Sequence, residues 1–183
     1  MSPNRRLVLP LLAALALGLI VVGVSACGYS SSSKDVSEGE PVTLGDLQFN
    51  VTFSRFLNPS DNEDSAYLVG QPAPPEGSTY FGIFLEIQNE SEEVQTLPST
   101  LKITDATGRT YDVIPSESLY ALPFGGEVES QEQIPVLDST PQQGAIEGSL
   151  ALFLLPAEAS SNRPLTLHIP GSNGEDAEVK IDL

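Results

Sequence analysis

The sequence predicts an all-β protein, a β-sandwich of seven or eight strands over residues 44–183. Apolar side chains in this region recur at every second position, which is the period of a strand with one buried face. These segments are short, and turns rich in Gly, Pro, Asn and Asp separate them at spacings typical of sandwiches. No segment of the region has the period of a convincing helix.

Residues 1–26 have the three parts of an export signal. Arg5 and Arg6 precede an uncharged apolar run, residues 7–24, and small residues follow it up to Cys27. The ending Val-Ser-Ala-Cys resembles the lipobox of bacterial lipoproteins, in which a diacylglyceryl group is added to the cysteine and the signal peptidase cuts before it. The resemblance implies that Cys27 carries lipid and holds the chain on the extracytoplasmic face of the cell membrane.

A transmembrane helix is the alternative for the same apolar run. The run reaches the lower limit for a span, since about 20 residues are needed to cross the hydrocarbon core. Pro10, Gly18 and Gly23 disfavour a permanent helix, and Cys27 is the only cysteine of the chain. Its position at the end of the run favours the lipoprotein.

Charge and cysteine content exclude several classes of function. After the predicted cleavage, six Lys and Arg residues remain against 25 Asp and Glu, a formal net charge of −19. Such a surface repels nucleic acid, because phosphate contacts need clustered basic residues. With Cys27 committed to lipid, we expect no disulfide, no thiolate metal site and no cofactor.

Residues 27–43 are predicted to be a flexible tether. They are rich in Ser, Gly and Glu and offer almost nothing to bury. A segment of this kind would hold the domain, residues 44–183, clear of the lipid headgroups.

Two segments show the strand period most clearly. Over residues 46–54, Leu47, Phe49, Val51 and Phe53 fall on one face and polar residues on the other. The second segment, residues 79–89, places four apolar side chains on its buried face: Phe81, Ile83, Leu85 and Ile87.

The remaining strands follow after residue 100. Asp105 and Gly108 predict a tight turn that joins residues 101–103 and 110–113 in a hairpin. The other predicted strands are an acidic edge strand at 127–134, a central strand at 148–156, and a final pair at 165–169 and 177–183.

Four segments recur in this order in a known family. They are an apolar strand that ends at Asn89, a D-x-x-G-x-x-Y hairpin from Asp105 to Tyr111, a Pro-Gly turn after Leu122, and an apolar strand that ends at Pro156. Together they resemble the telokin-like, immunoglobulin-like domain of unknown function that many bacterial lipoproteins carry.

The resemblance covers about residues 45–183 and departs from the family at two places. Phe124 is inserted in the Pro-Gly turn, and the irregular segment 58–78 is unusually long. The family implies an immunoglobulin-like sandwich and an exported, surface-tethered chain. It supplies no catalytic residues.

The candidate partner-binding residues are Tyr67, Leu68, Tyr120 and Phe124. They lie in apolar segments beside turns, so they either fold back on the core or, if exposed, form hot spots for a protein partner. Because loop-closure cost changes slowly with length, we expect that residues 60–76 can be shortened with the fold intact.

Asp61, Glu63 and Asp64 are weak candidates for calcium ligands, since hard oxygen ligands on a loop can hold this ion. Their spacing lacks the glycine and the terminal glutamate of an EF-hand. His168 is the only histidine, and alternation places it on the solvent face of its strand. One histidine without a free thiol does not support a catalytic triad or a zinc site.

These observations predict a lipid-anchored extracytoplasmic module that binds or scaffolds without catalysis. Its expected partners are the membrane, through the lipid on Cys27, and another envelope protein. The alternative is a small-ligand or calcium-binding accessory lipoprotein associated with a transporter. A pocket with converging polar groups would favour the alternative, and a flat apolar patch would favour the module.

Overall fold

A computed structural model describes residues 33–181. Seven of its strands have five or more residues and the other five have two or three, so the short strands account for a count above the predicted seven or eight. The strands are β1 Ser33–Ser37, β2 Val42–Leu44, β3 Leu47–Leu57, β4 Ser78–Asn89, β5 Gln95–Thr96, β6 Lys102–Thr104, β7 Thr110–Ile114, β8 Glu127–Val128, β9 Gln133–Ile134, β10 Ser149–Pro156, β11 Leu165–Pro170 and β12 Asp176–Ile181. The helices are α1 Asn62–Ser65 and a 3-10 turn, Ala157–Ser161.

Ten of the strands form two sheets that share β7, and β5 and β8 form a separate two-stranded sheet. The first sheet has the order β1-β12-β11-β6-β7, and the second continues from β7 as β10-β4-β3-β2, with β9 beside the end of β4. All pairs are antiparallel except β1 with β12, which are parallel. The inner faces of both sheets pack into one core, which confirms the all-β sandwich.

The main core contains the predicted face of β4. Phe81, Ile83, Leu85 and Ile87 are all buried against inward side chains of β11 and β12. The hairpin β6–β7, the central position of β10 between β4 and β7, and the final antiparallel pair β11–β12 are also as predicted. His168 lies on the outer face of β11 and is half-buried beside Glu178.

A β-bulge in β3 overturns the prediction for Phe53. The register with β4 shifts between Val51 and Phe53, so Thr52 is an extra residue. An extra residue reverses the faces of all side chains that follow it. Phe53 is therefore 44% exposed, while Ser54 points inward and is 2% exposed.

Phe53→Ala tests this register. We expect it to lower the unfolding free energy by less than about 1 kcal/mol, because little apolar area is removed from a half-exposed site. Phe49→Ala in the same strand is the matched control: Phe49 is 2% exposed, and truncation of a buried Phe costs about 3–5 kcal/mol. Denaturant unfolding of both variants measures the difference. Equal losses would place Phe53 in the core.

A second apolar cluster lies on the outer face of the second sheet. It is formed by buried side chains of β3, β4 and β10 and of the segment between β3 and β4: Leu57, Tyr67, Leu68, Tyr80, Phe84, Leu150 and Leu152. The bulge places Leu57 on this face. We call this the outer cluster. Because of it, β4 is buried on both faces between Tyr80 and Leu85.

The predicted tether and the acidic strand need correction. Residues 33–43 were expected to be flexible, but β1 pairs with β12 and β2 pairs with β3. Val36 is the only residue of β1 that packs on the core. The strand is therefore held mainly by backbone hydrogen bonds to β12, which the amino-acid composition of the segment could not reveal. Residues 127–134 form two short strands, β8 and β9, with a turn at Glu129–Glu132 between them.

The predicted signal peptide and Cys27 lie outside the described residues. Within residues 33–181, no helix is long and apolar enough to cross a membrane.

Candidate binding groove

The structure brings three of the four candidate partner-binding residues together: Tyr67, Leu68 and Tyr120. The rings of Tyr67 and Tyr120 meet edge to face with centroids 4.8 Å apart, and Tyr67 also contacts Phe84 at 5.0 Å. Tyr67 and Leu68 are buried in the outer cluster and Tyr120 packs against it. Burial raises the pKa of the Tyr67 phenol, and the neighbouring Tyr120 adds to this effect.

These residues therefore fold back on the protein, the first of the two alternatives, and burial leaves Tyr67 and Leu68 little surface for a partner. Phe124 lies apart from them, half-buried against the main core. The exposed apolar side chains nearby are Val69 and Leu119. Single exposed apolar residues are common on protein surfaces and do not mark a binding patch.

The calcium candidates are not assembled into a site. Asp61 caps α1 by accepting a hydrogen bond from the backbone N–H of Glu63, 2.9 Å away. Asp64 is buried, and its carboxylate binds the guanidinium of Arg55 and accepts the backbone N–H of Asn58 at 2.7 Å. Across the described part of the chain, no group of three His, Cys, Asp or Glu side chains could hold a metal ion.

An open groove of about 990 Å³ lies where the edges of the two sheets meet. It runs between the end of β1, the part of β3 that follows the bulge, the start of β11 and the end of β12. Its lining residues are Ser37, Glu38, Phe53, Ser54, Arg55, Arg163, Pro164 and Lys180. We call it the edge groove.

The chain between β1 and β2 crosses from one sheet to the other beside the edge groove. The backbone N–H of Glu38 donates to the carbonyl oxygen of Lys180 at 3.0 Å, and the N–H of Gly39 donates to the carbonyl of Val51 at 2.9 Å. The hydroxyl of Ser54 donates to the carboxylate of Glu38 at 2.9 Å. This crossing links the two sheets and fixes the position of the only carboxylate among the eight lining residues.

The bulge and the loop that follows β3 hold Arg55 in place. After the bulge, Arg55 points to the outer face, where the carboxylate of Asp64 binds its guanidinium. The side chain of Asp64 is 2% exposed and that of Arg55 is 31% exposed. A guanidinium has five N–H donors, so this ion pair orients Arg55 without engaging all of its donors.

The edge groove concentrates positive charge on an acidic protein. Arg55, Arg163 and Lys180 are three of the six Lys and Arg residues that follow Cys27, whereas the chain has 25 acidic residues. The Nε of Arg163 donates to the carbonyl oxygen of Ser160 at 2.8 Å. Arginine binds carboxylate and phosphate groups with paired hydrogen bonds, so this arrangement is suited to an anion.

Sequence reasoning missed the edge groove because its basic residues are far apart in the chain. Arg55 and Arg163 are separated by more than 100 positions, and neither lies in a motif. The sequence does show that basic residues are rare in this chain. A place where several of them meet is therefore a candidate site for an anion.

Comparison with known proteins supports the fold. No protein-family profile and no curated protein matches the chain. Among solved structures, the yjhA protein of Bacillus subtilis is 16% identical with a TM-score of 0.52, over 80% of this chain and 99% of that one. The ycdA protein of Bacillus subtilis, described as a candidate lipoprotein, is 10% identical with a TM-score of 0.50, over 80% of this chain and 39% of that one.

A third similar structure is an uncharacterized β-sandwich protein from Clostridium difficile. It is 17% identical with a TM-score of 0.48, over 82% of this chain and 95% of that one.

Proposed function

We propose that the protein is a lipid-anchored, extracytoplasmic binding module without catalytic activity, and that the edge groove is its binding site. The observation that carries this proposal is the meeting of Arg55, Arg163 and Lys180 in one groove of a chain with formal net charge −17. Clefts lined by one sign of charge attract ligands of the opposite sign and speed their association.

The composition of the edge groove supports binding rather than catalysis. Its lining has no histidine and no cysteine, and its carboxylate, Glu38, already accepts a hydrogen bond from Ser54. General acid–base and nucleophilic catalysis need a base within reach of a nucleophile or substrate proton. An open groove with fixed charges instead provides affinity and orientation.

Two observations support export and anchoring. The segment before Cys27 has the charged start, apolar run and small residues of a secretory signal, and the similar ycdA protein is described as a candidate lipoprotein. We further propose membership of the telokin-like family. The hairpin turn at Asp105 and the Asn89 end of β4 adopt the strand and turn positions that the resemblance implies.

Cys27→Ser tests the anchor. We expect the variant to lose the membrane fraction of the protein, because each buried CH₂ of an acyl chain contributes about 0.8 kcal/mol and stable anchoring needs two chains. Cell fractionation and mass spectrometry of the intact protein measure the loss. Ser31→Ala, four positions beyond Cys27, is the control and should keep both lipid and location.

The anchor proposal is wrong if the wild-type protein carries no lipid mass and retains residues 1–26. That result would favour the transmembrane alternative.

A further inference from the structure

We infer that the ligand of the edge groove is an extended acidic peptide segment, which adds as a strand to the free edge of β3. The inference rests on the proposed function and specifies the partner of the same site. It draws on three features of the groove: an unpaired strand edge, a local excess of positive charge, and an exposed aromatic ring.

The strand edge is the first feature. β3 pairs with β4 along its whole length, but on its other side β2 covers only Leu47–Phe49. The N–H of Gly39 then caps the carbonyl of Val51. Beyond that point, residues 53–57 have no second strand beside them among the described residues.

An unpaired edge of this kind recognises peptide backbone. In an antiparallel strand every second residue turns its N–H and C=O away from its partner, here toward the edge groove. Five residues of strand span about 17 Å, enough for a short extended peptide. Strand addition to such an edge is a common mode of peptide recognition.

Charge selects an acidic partner. Arg55, Arg163 and Lys180 line the edge groove, against Glu38 in the lining and Asp64 behind Arg55. The net charge of the side chains at the groove is thus positive, whereas the formal net charge of the whole chain is −17. Carboxylates of a peptide can pair with these cations, whereas the surrounding acidic surface repels long acidic stretches beyond the groove.

Phe53 favours a peptide over other anions. Phe53 is 44% exposed and lines the edge groove with Pro164. Side chains of an added strand alternate between its two faces, so an apolar residue next to an acidic one can cover this ring. Phosphate polymers offer neither backbone amides for β3 nor apolar groups for Phe53.

The direction of β1 disfavours lipid headgroups as the ligand. β1 begins at Ser33, six residues after the predicted lipid on Cys27, and ends at Ser37 in the edge groove. The groove therefore lies at the end of β1 farther along the chain from the anchor, where a soluble or envelope protein can reach it.

The test uses the full-length acylated protein in detergent and labelled heptapeptides that alternate Glu or Asp with Val, Leu or Phe. Fluorescence anisotropy measures their binding. We expect binding to the acidic peptides, and a loss of at least about tenfold when Gln and Asn replace their acids, because charge-assisted hydrogen bonds are lost.

The matched protein variants are Arg163→Gln with Lys180→Gln, and Lys102→Gln as control, since Lys102 is exposed and does not line the edge groove. The double variant should weaken binding by about tenfold or more and the control should not. Two further peptides carry N-methyl groups on alternate backbone nitrogens, one on the odd and one on the even positions. The peptide whose methyl groups block the N–H groups that would pair with β3 should bind more weakly than the other.

Equal affinity of the wild-type protein and the double variant would overturn the site, and equal binding of both methylated peptides would overturn strand addition. Displacement of the peptide by poly(glycerol phosphate), inorganic phosphate or anionic vesicles at matched charge would show a general anion site instead. None of these outcomes alters the fractionation of the Cys27 variant, so a failure here is distinct from a failure of the proposed anchoring.

Discussion

Asp105→Asn is expected to lower the unfolding free energy by about 2–4 kcal/mol, since hydrogen bonds to a charged group contribute about 1.5–3 kcal/mol each and are not additive. The side chain of Asp105 is fully buried at the β6–β7 turn. Its carboxylate accepts hydrogen bonds from the N–H and hydroxyl of Thr107, the N–H and Nε of Arg109, and the hydroxyl of Tyr111, at 2.6–3.1 Å. An amide at this position cannot accept all five.

The same network makes stability depend on pH. Burial tends to raise the pKa of Asp105, but the hydrogen bonds from Thr107, Arg109 and Tyr111 outweigh it and hold the pKa well below its usual value. The unfolded chain therefore binds a proton at a higher pH than the folded one. The stabilisation is complete above about pH 4, near the unfolded pKa, and is lost as the pH falls toward the folded pKa.

Urea unfolding at pH 7 and at pH 3 measures both effects. The gap between wild type and Asp105→Asn should be widest at pH 7 and narrower at pH 3, because acid removes the stabilisation from the wild type only. Asp112→Asn is the control: its side chain is 72% exposed in an ion pair with Lys102, and exposed pairs contribute about 0–1 kcal/mol. A gap that is the same at both pH values would contradict the assignment.

The β6–β7 hairpin could be predicted from the sequence only in part. Asp105 and Gly108 predicted the turn, and Gly108 has the positive φ of 84° that such turns require. The sequence could not show that the loop folds its own Asp, Arg and Tyr side chains into a buried network, because burial depends on the sheet beneath. The sequence therefore identified the residues of the turn, but not the hydrogen bonds that stabilise it.

Asn89 is a similar case at the end of β4. The sequence marked it as the end of a strand, whereas the structure buries it as a link between distant segments. Its amide nitrogen donates to the carbonyls of Glu93, Val128 and Glu129, and its oxygen accepts from the N–H and hydroxyl of Ser91. Hydrogen bonds between a buried side chain and residues distant in the chain cannot be predicted from the local pattern of apolar and polar residues.

The remaining differences also come from non-local pairing. Thr52 continues the apolar–polar alternation without interruption, so only the register with β4 reveals the bulge. β1 is a strand because β12, at the other end of the chain, is beside it. The edge groove depends on both, since the bulge turns Arg55 outward and β1 carries the chain to Glu38.

Replacing residues 60–76 with a short Gly-Ser linker is expected to destabilise the fold, contrary to what loop-closure entropy alone suggested. The replacement removes Tyr67 and Leu68 from the outer cluster and exposes Phe84 to water. Burial of a large apolar side chain contributes about 1.5–3 kcal/mol, so the loss should be about 3–6 kcal/mol. This exceeds the entropy gained from a shorter loop, which changes by about 0.6 kcal/mol per doubling of length.

Polar contacts of the same segment add to the effect. Removal of Asp64 takes away the ion pair that orients Arg55. The hydroxyl of Ser118 loses the carbonyl of Ala66, which it binds at 2.7 Å, and the hydroxyl of Tyr80 loses the carbonyl of Pro72 at 2.8 Å. A buried hydroxyl left without its partner costs about 1–3 kcal/mol.

Point variants separate burial from loop length. Tyr67→Ala and Val69→Ala lie two positions apart in the same segment, but Tyr67 is 4% exposed and Val69 is 46% exposed. Tyr67→Ala should lower the unfolding free energy by about 3–5 kcal/mol, as for other buried aromatic residues, and Val69→Ala by less than about 0.5 kcal/mol. If the linker variant and Tyr67→Ala both melted at the wild-type temperature, the segment would be a dispensable loop, and Phe84 would have to be covered by other side chains.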